Sequence, residues 1–316
     1  MHQVIAIGET ILDILFRQGQ PVAAVPGGSC FNSSISMGRA GLDCAFAGYA
    51  GNDAVGRQIA DFLQANGVAN DTFELHNGVQ SALALAYLNE QGDADYLFYK
   101  NEPRLPEGCR VPCPAPGGVL LYGSYYAVCD ALRPQIEALQ AKARRVGATV
   151  YYDINFRRSH LHQREALLPA IEANYAQSDV VRGSADDFGI LYGLREAREI
   201  YTRHITRHCP VFLCTAGAGG VTVCTPQGCH DFEAHRVDPV VSTVGAGDNF
   251  NAGFIYGLVT QGIGRDQLPT LTREQWAGLI HTASAFAAEA CRSTSNAISP
   301  EFAARLATTS APLTRP

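Results

Sequence analysis

Apolar positions along the chain fall into two rhythms. Short continuous apolar runs at residues 4–8, 119–123, 149–153, 179–181 and 211–215 are rich in β-branched side chains and end at glycine or polar residues, which predicts buried strands. Between them, 132–146, 164–175 and 195–207 place apolar residues three and four apart, which predicts helices. Alternation of the two predicts an α/β fold, a mostly parallel sheet with helices on both faces, whose ligands lie at the carboxyl ends of the strands.

Two segments break the alternation. Residues 10–26 and 81–104 read as antiparallel strands, with 82–88, a turn at Gln91-Gly92-Asp93 and 96–100 forming a hairpin. Such strands cannot easily join a parallel core, so they are expected to form a small sheet at its edge, a lid. The proline-rich stretch 103–116 reads as a linker back to the core and the tail after 311 as frayed.

Composition narrows the function. The chain has 316 residues, room for one large α/β domain or two smaller ones. With 47% hydrophobic and 17% charged residues and a net charge of −6, it has no basic field to attract nucleic acid or an anionic membrane. Lys100 and Lys142 are its only lysines. Phosphate chemistry here must therefore use arginine, backbone N–H groups or a metal, and a Walker-type loop, which needs lysine after its glycines, is excluded. No apolar run is long enough to span a membrane, and Met1-His2-Gln3 leads straight into a strand-like run, so the expectation is a cytoplasmic protein whose ten cysteines are reduced thiols.

The most informative stretch is Ser242-Thr243-Val244-Gly245-Ala246-Gly247-Asp248-Asn249-Phe250, which opens a segment of helical spacing. Small residues at a helix start let a ligand approach the backbone, and the first-turn N–H groups favour an anion. An aspartate there is explained equally well as a stabilising N-terminal charge and as a general base beside a bound anion. A second glycine-led helix start, Gly27-Gly28-Ser29-Cys30-Phe31-Asn32, precedes an apolar-periodic stretch ending in Gly38-Arg39-Ala40-Gly41-Leu42.

Together these stretches resemble the two signatures of the PfkB, or ribokinase-like, family of carbohydrate kinases. The family order extends over nearly the whole chain, through Gly8 and Asp13, Gly51-Asn52-Asp53 with Gly56, Asp153-Ile154-Asn155-Phe156-Arg157, and Thr215-Ala216-Gly217-Ala218-Gly219-Gly220. The resemblance implies a ribokinase-like three-layer α/β/α core. A single kinase domain would then occupy 1–316, with lid strands inserted at about 10–26 and 81–104. It implies ATP-dependent transfer of the γ-phosphate to a sugar hydroxyl with Mg²⁺. Asp248 matches the family's base, and Gly245, Ala246 and Gly247 match its anion hole. An ordinary aspartate, titrating near about 4, would be ionised for this task at neutral pH.

By the same resemblance Asp13, Gly28 and Asn32 hold sugar hydroxyls, Arg157 neutralises the transferred phosphate, and Lys100 reaches the sugar from the lid. Thr215, Gly217 and Gly220 form the nucleotide loop, Ser184 and Asn296 border the nucleotide, and Asp187 orders Mg²⁺-bound water. Read without the resemblance, Asp13 is an edge-strand surface charge, Arg157 a surface arginine, Lys100 a solvated lysine and 215–220 a plain hairpin turn. Two departures stand out. Ser184-Ala185-Asp186-Asp187 replaces the family's Asn-x-x-Glu, and Ser242 replaces an aspartate that in some relatives helps bind a monovalent cation, which puts K⁺ activation in doubt.

The Asp-x-Asn-x-Arg run leans toward fructokinase-like enzymes acting on a hexose; ribokinase, ketodeoxygluconate kinase or nucleoside kinase activity, or a non-catalytic sugar or nucleotide sensor, are the alternatives. Lid edges imply a homodimer. Cys209, Cys214, Cys224 and Cys229, near His204, His208 and His230, lack zinc spacing, and Cys214 and Cys224 read as small buried hydrophobes. Gly8-Glu9-Thr10 lacks the glycines of a dinucleotide fold.

Overall fold

The structure, a computed structural model, describes residues 1–88, 94–100 and 112–309. The expected turn at 91–93, most of the linker and the tail after 311 lie outside the described residues. The chain opens with β1 (Val4–Ile7), paired on both edges and buried throughout because helices cover both of its faces. Val4 and Ala6 pack into one core layer and Ile5 into the other, with Ile7, as strand alternation requires.

A hairpin of β2 (Ile11–Arg17) and β3 (Gln20–Gly27) follows, then α1 (Ser29–Arg39), β4 (Cys44–Gly51), α2 (Ala54–Ala65) and β5 (Phe73–His76). A second hairpin comprises β6 (Leu83–Leu88) and β7 (Ala94–Tyr99). The chain then alternates through β8 (Val119–Gly123), α3 (Arg133–Arg145), β9 (Thr149–Asp153), α4 (Arg164–Gln177), β10 (Val180–Ser184), α5 (Ala185–Tyr192), α6 (Ala197–Ile200) and β11 (Val211–Thr215). It ends with β12 (Val221–Thr225), β13 (Gly228–Phe232), α7 (Ala246–Gln261), α8 (Arg273–Ala290) and α9 (Pro300–Thr309).

The main sheet has nine strands in the order β13-β12-β11-β10-β9-β8-β1-β4-β5. Pairings from β11 to β5 are parallel, and β12 and β13 add an antiparallel edge. Side chains of α1, α2, α7, α8 and α9 pack on one face and those of α3 to α6 on the other. This is the expected three-layer arrangement. Strand order reverses between β1 and β8, a switch point at whose carboxyl end ligands bind in such sheets.

The two hairpins form a separate four-stranded sheet, β3-β2-β6-β7. Each hairpin is antiparallel as expected, but β2 joins β6 in parallel, so the lid is mixed. Asp53 ties it to the core: one carboxylate caps α2 through the Gly56 N–H at 2.8 Å and accepts from the Ser81 hydroxyl and N–H ahead of β6.

Other details differ from expectation. The strand expected at 179–181 runs on to Ser184, because Arg182 is buried against Asp153 of the adjacent strand instead of ending the element at a polar residue. The helix expected at 195–207 is only α6, followed by a π-helical turn, Tyr201–Ile205, closed by Thr206 N–H to the Tyr201 carbonyl; the wider turn keeps both Tyr201 and Ile205 buried. Cys224 and Cys229, expected as reduced thiols, are joined in a disulfide. They stand directly opposite each other across the β12–β13 hairpin, a pairing that a spacing of five does not reveal until the turn is known. Cys214 is a buried free thiol, as expected. Among the described residues, no helix is long and apolar enough to cross a membrane.

Candidate active site

The carboxyl ends of β9, β10 and β11 meet the start of α7 through Asp153, Arg182 and Thr215, and the N-terminal turn of α1 joins them there. Asp248 lies in the first turn of α7, 8% exposed. Ser29 Oγ donates to its Oδ1 and Asn32 Nδ2 to its Oδ2, each at 2.8 Å, while Ser33 Oγ donates to its backbone carbonyl at 2.8 Å. Both carboxylate oxygens are thus aimed by the N-terminal turn of α1. Burial holds the Asp248 carboxyl above the usual range, with the nearby Asp153 charge adding to it and Asn32, Arg157 and Ser29 opposing. The ordinary aspartate expected from residue type is therefore corrected to a carboxylate whose affinity for a proton is raised.

Three features anchor the start of α7. Gly245 has φ 78°, a left-handed turn that favours glycine, and packs on the backbone of Asn296. Asn249 Nδ2 bridges the Gly245 and Asn296 carbonyls at 2.8 and 2.9 Å, and its Oδ1 accepts from Ser36 Oγ. The Ala246 N–H is engaged by the Thr243 carbonyl at 3.2 Å. Gly247 lies flat against the Arg182 guanidinium: a Cβ at that position would stand 2.9 Å from both terminal nitrogens.

On the lid side, Asp13 lies on β2, an interior strand of the small sheet and not an edge, and burial pushes its carboxyl up to about 6. Its Oδ2 lies 2.9 Å from where a Cβ of Gly27 would be, and Asn32 Oδ1 4.0 Å from the same point, so Asp13 and Asn32 converge beside the Gly27-Gly28 turn. Gly28 has φ 134° and rests against the Glu9 carbonyl. Lys100, just after β7, pairs with Glu9 at 3.0 Å. Burial lowers the pKa of His160, whose ring stacks on Tyr125 at 4.2 Å; the Lys100 charge acts in the same direction. Arg157 follows β9, exposed, and its charge favours the ionised form of Asp248.

The nucleotide candidates occupy the adjacent strand ends. Thr215 closes β11, and a 3₁₀ turn, Gly217–Gly219, leads through Gly220 into β12, so the loop is a hairpin connection as well as a glycine-rich one. Ser184 and Asp187 form a reciprocal capping box at the start of α5. Burial first, then repulsion from Asp153, raises the Asp187 carboxyl.

Sequence reasoning passed over the buried centre that links these groups. Arg182 Nη1 donates to Asp153 Oδ1 and Oδ2 at 3.1 and 3.2 Å, and Nη2 to Thr215 Oγ1 at 2.8 Å. Asn251, one helical turn beyond Gly247, donates to Asp153 Oδ2 at 2.6 Å and accepts from the Tyr151 hydroxyl. The available signal was a lone charged residue in the buried run Val180-Val181-Arg182.

Similarity to known proteins agrees with this geometry. The chain is 29% identical over 265 residues to aminoimidazole riboside kinase of Salmonella typhimurium, covering 82% of this chain and 81% of that one. It is 26% identical over 268 residues to fructokinase of Escherichia coli, covering 84% and 87%. Its fold superposes with a TM-score of 0.81 on the fructokinase of Vibrio cholerae O395 in its fructose, ADP and calcium ion bound form, at 22% identity over 96% and 97% of the two chains. The sequence model of the pfkB family carbohydrate kinases matches residues 1–302. With the ribokinase-like layers, the glycine-led α7 and the buried Asp248 in place, the chain belongs to the pfkB family of carbohydrate kinases, ATP-dependent phosphotransferases.

Proposed function

We propose that this sugar kinase phosphorylates a hydroxyl of fructose or a related hexose, with Asp248 as general base. The observation that carries the reading is the pair of hydrogen bonds from Ser29 and Asn32 to Asp248. They put a buried carboxylate, a helix N-terminus and the lid residue Asp13 around one small space. Asp13, the Gly28 backbone and Asn32 hold sugar hydroxyls, since a carboxylate accepting two hydroxyls makes charge-assisted bonds. Asp248 takes the proton of the attacking hydroxyl; in a loose transition state that proton leaves late, and a weak base suffices. The N–H groups of Gly245 and Gly247, with that of Ala246 shared between the Thr243 carbonyl and the ligand, receive the transferred phosphoryl group, Arg157 offsets its charge, and Lys100 orders the lid edge through Glu9.

Thr215, Gly217, Gly220, Ser184 and Asn296 border the nucleotide. Mg²⁺ bound with the nucleotide would supply charge neutralisation for the phosphates. Asp187 suits water-mediated contact with it: its carboxyl is buried near Asp153, where a cation relieves like-charge repulsion. One kinase core over 1–316 with lid insertions at about 10–26 and 81–104 fits the sheet connections. Exposed Leu97, Phe98 and Tyr99 on edge strand β7 support pairing of two lids in a homodimer.

A riboside acceptor is the second reading, favoured by the similarity to aminoimidazole riboside kinase. A coupled ADP-release assay over fructose, glucose, ribose, ketodeoxygluconate, adenosine and aminoimidazole riboside separates them. Turnover highest with fructose supports the first reading; a higher kcat/KM for a riboside replaces it, and no turnover with any sugar or riboside overturns both.

A further inference from the structure

Arg182 is 5% exposed, yet its guanidinium meets three chain segments that approach the site from different elements. Nη1 grips both oxygens of Asp153 at the end of β9, and Nη2 holds the Thr215 hydroxyl at the end of β11. The plane also abuts Gly247: the three atoms nearest a Cβ built there are Nη1, Nη2 and Cζ, at 2.9, 2.9 and 3.3 Å. The Phe250 ring, one turn further along α7, lies 5.7 Å from Cζ. Burial alone opposes the charge, but Asp153 and the other nearby groups keep the guanidinium firmly protonated. The Nε atom is buried without a hydrogen-bond partner among the described residues, so the side chain accepts a cost to hold this position.

A planar fork with fixed donor directions defines distances that a flexible ammonium does not. Here it defines the separation between Gly247, on the anion-binding turn, and Thr215, where the glycine-rich loop begins. The Asp153 carboxylate is further held by Asn251 Nδ2 at 2.6 Å, so the fork is braced from α7 as well as from the strands. We infer that Arg182 is a positioning residue for phosphoryl transfer, setting the anion-binding turn of α7 against the 215–220 loop. This rests on the reading of the α7 N-terminus as the anion hole.

The test compares Arg182→Lys and Arg182→Gln with Asp248→Asn in the full chain, with folding checked by circular dichroism and thermal melting. Arg182→Gln is expected to lower kcat by about 10²-fold and raise KM for ATP, leaving KM for the sugar within about twofold. Arg182→Lys keeps the charge and loses the fork, and is expected to recover about tenfold of the kcat loss while KM for ATP stays raised. An ion pair that only stitches strands together would lower the melting temperature and leave both constants of the folded protein unchanged; that result overturns the inference. Should Arg182→Gln not fold, the Lys variant decides alone: a wild-type KM for ATP and kcat end the proposal. If Asp248→Asn also keeps full turnover, the reading of the α7 site falls as well; if only Asp248→Asn loses turnover, Arg182 alone is excluded.

Discussion

Asn32 Nδ2 donates to Asp248 Oδ2 at 2.8 Å in a buried contact spanning 216 positions of sequence. This bond joins the N-terminal turns of α1 and α7, the two glycine-led helix starts that stand apart in the sequence. It makes one site of two motifs. It also aims a carboxylate that burial has made a better proton acceptor than an exposed aspartate.

Replacing Asp248 by Asn keeps shape and removes proton acceptance. The expected outcome is a loss of about 10²–10⁴ in kcat with sugar binding largely kept. Steady-state kinetics with binding measured by calorimetry checks it, and unchanged turnover would remove Asp248 from the mechanism.

Asn32→Leu deletes the donor and leaves the buried carboxylate with only Ser29 on its side chain. The Asp248 carboxyl then rises further, since the bond from Asn32 lowers it in the native site. The acidic limb of the kcat profile is expected to move to higher pH, and kcat near neutrality to fall. A profile superimposable on that of the wild type contradicts the coupling.

Asp13 titrates at about 6 because burial penalises its charge. Only the ionised form accepts two sugar hydroxyls, so kcat/KM for the sugar should be full above this pH and fall about tenfold per unit below it. Asp13→Asn should lower kcat/KM at neutral pH and abolish this inflection. Persistence of the inflection in the variant would assign it to another group.

Gly247→Ala forces a methyl against a guanidinium already held by Asp153 and Thr215. Overpacking of this kind costs about 1–3 kcal/mol, and thermal unfolding should show it. Turnover should fall as well, because the displaced groups are the proposed anion-binding turn and the partner of Thr215.

Breaking the Cys224–Cys229 bond by a double Cys→Ser substitution releases a short cross-strand loop. Loop-closure entropy for so short a loop is worth about 2 kcal/mol, lowering the melting temperature to the value that the native chain shows under a thiol reductant. Kinetic constants should be unchanged, since the bond joins the two outermost strands at one edge of the sheet.

Much of this was legible in the linear pattern, and the parts that were not share a cause. The strands at 119–123, 149–153 and 211–215 match β8, β9 and β11 residue for residue, because a strand buried on both faces must be apolar throughout. The lid hairpins announced themselves by alternation and turns. The first turn of α7 was legible because its glycines and Asp248 are neighbours in sequence, and helix-terminus chemistry is local. By contrast, the extension of β10 over Arg182 depends on Asp153, which sits 29 positions away. The parallel β2–β6 junction and the Cys224–Cys229 pairing likewise depend on register, which residue types alone do not specify.

The sequence by itself determined most of the strand and helix segments and where the glycine-led start of α7 falls, because those choices are made by side-chain periodicity and by backbone groups within a few residues of one another. Tertiary structure alone decided that Ser29 and Asn32 orient Asp248, that burial lifts Asp13 and Asp248 out of the ordinary carboxylate range, and that one buried arginine sits beneath Gly247. Each of these arises from desolvation and hydrogen bonding between strand and helix ends far apart in the chain, and neither exists until the sheet has assembled.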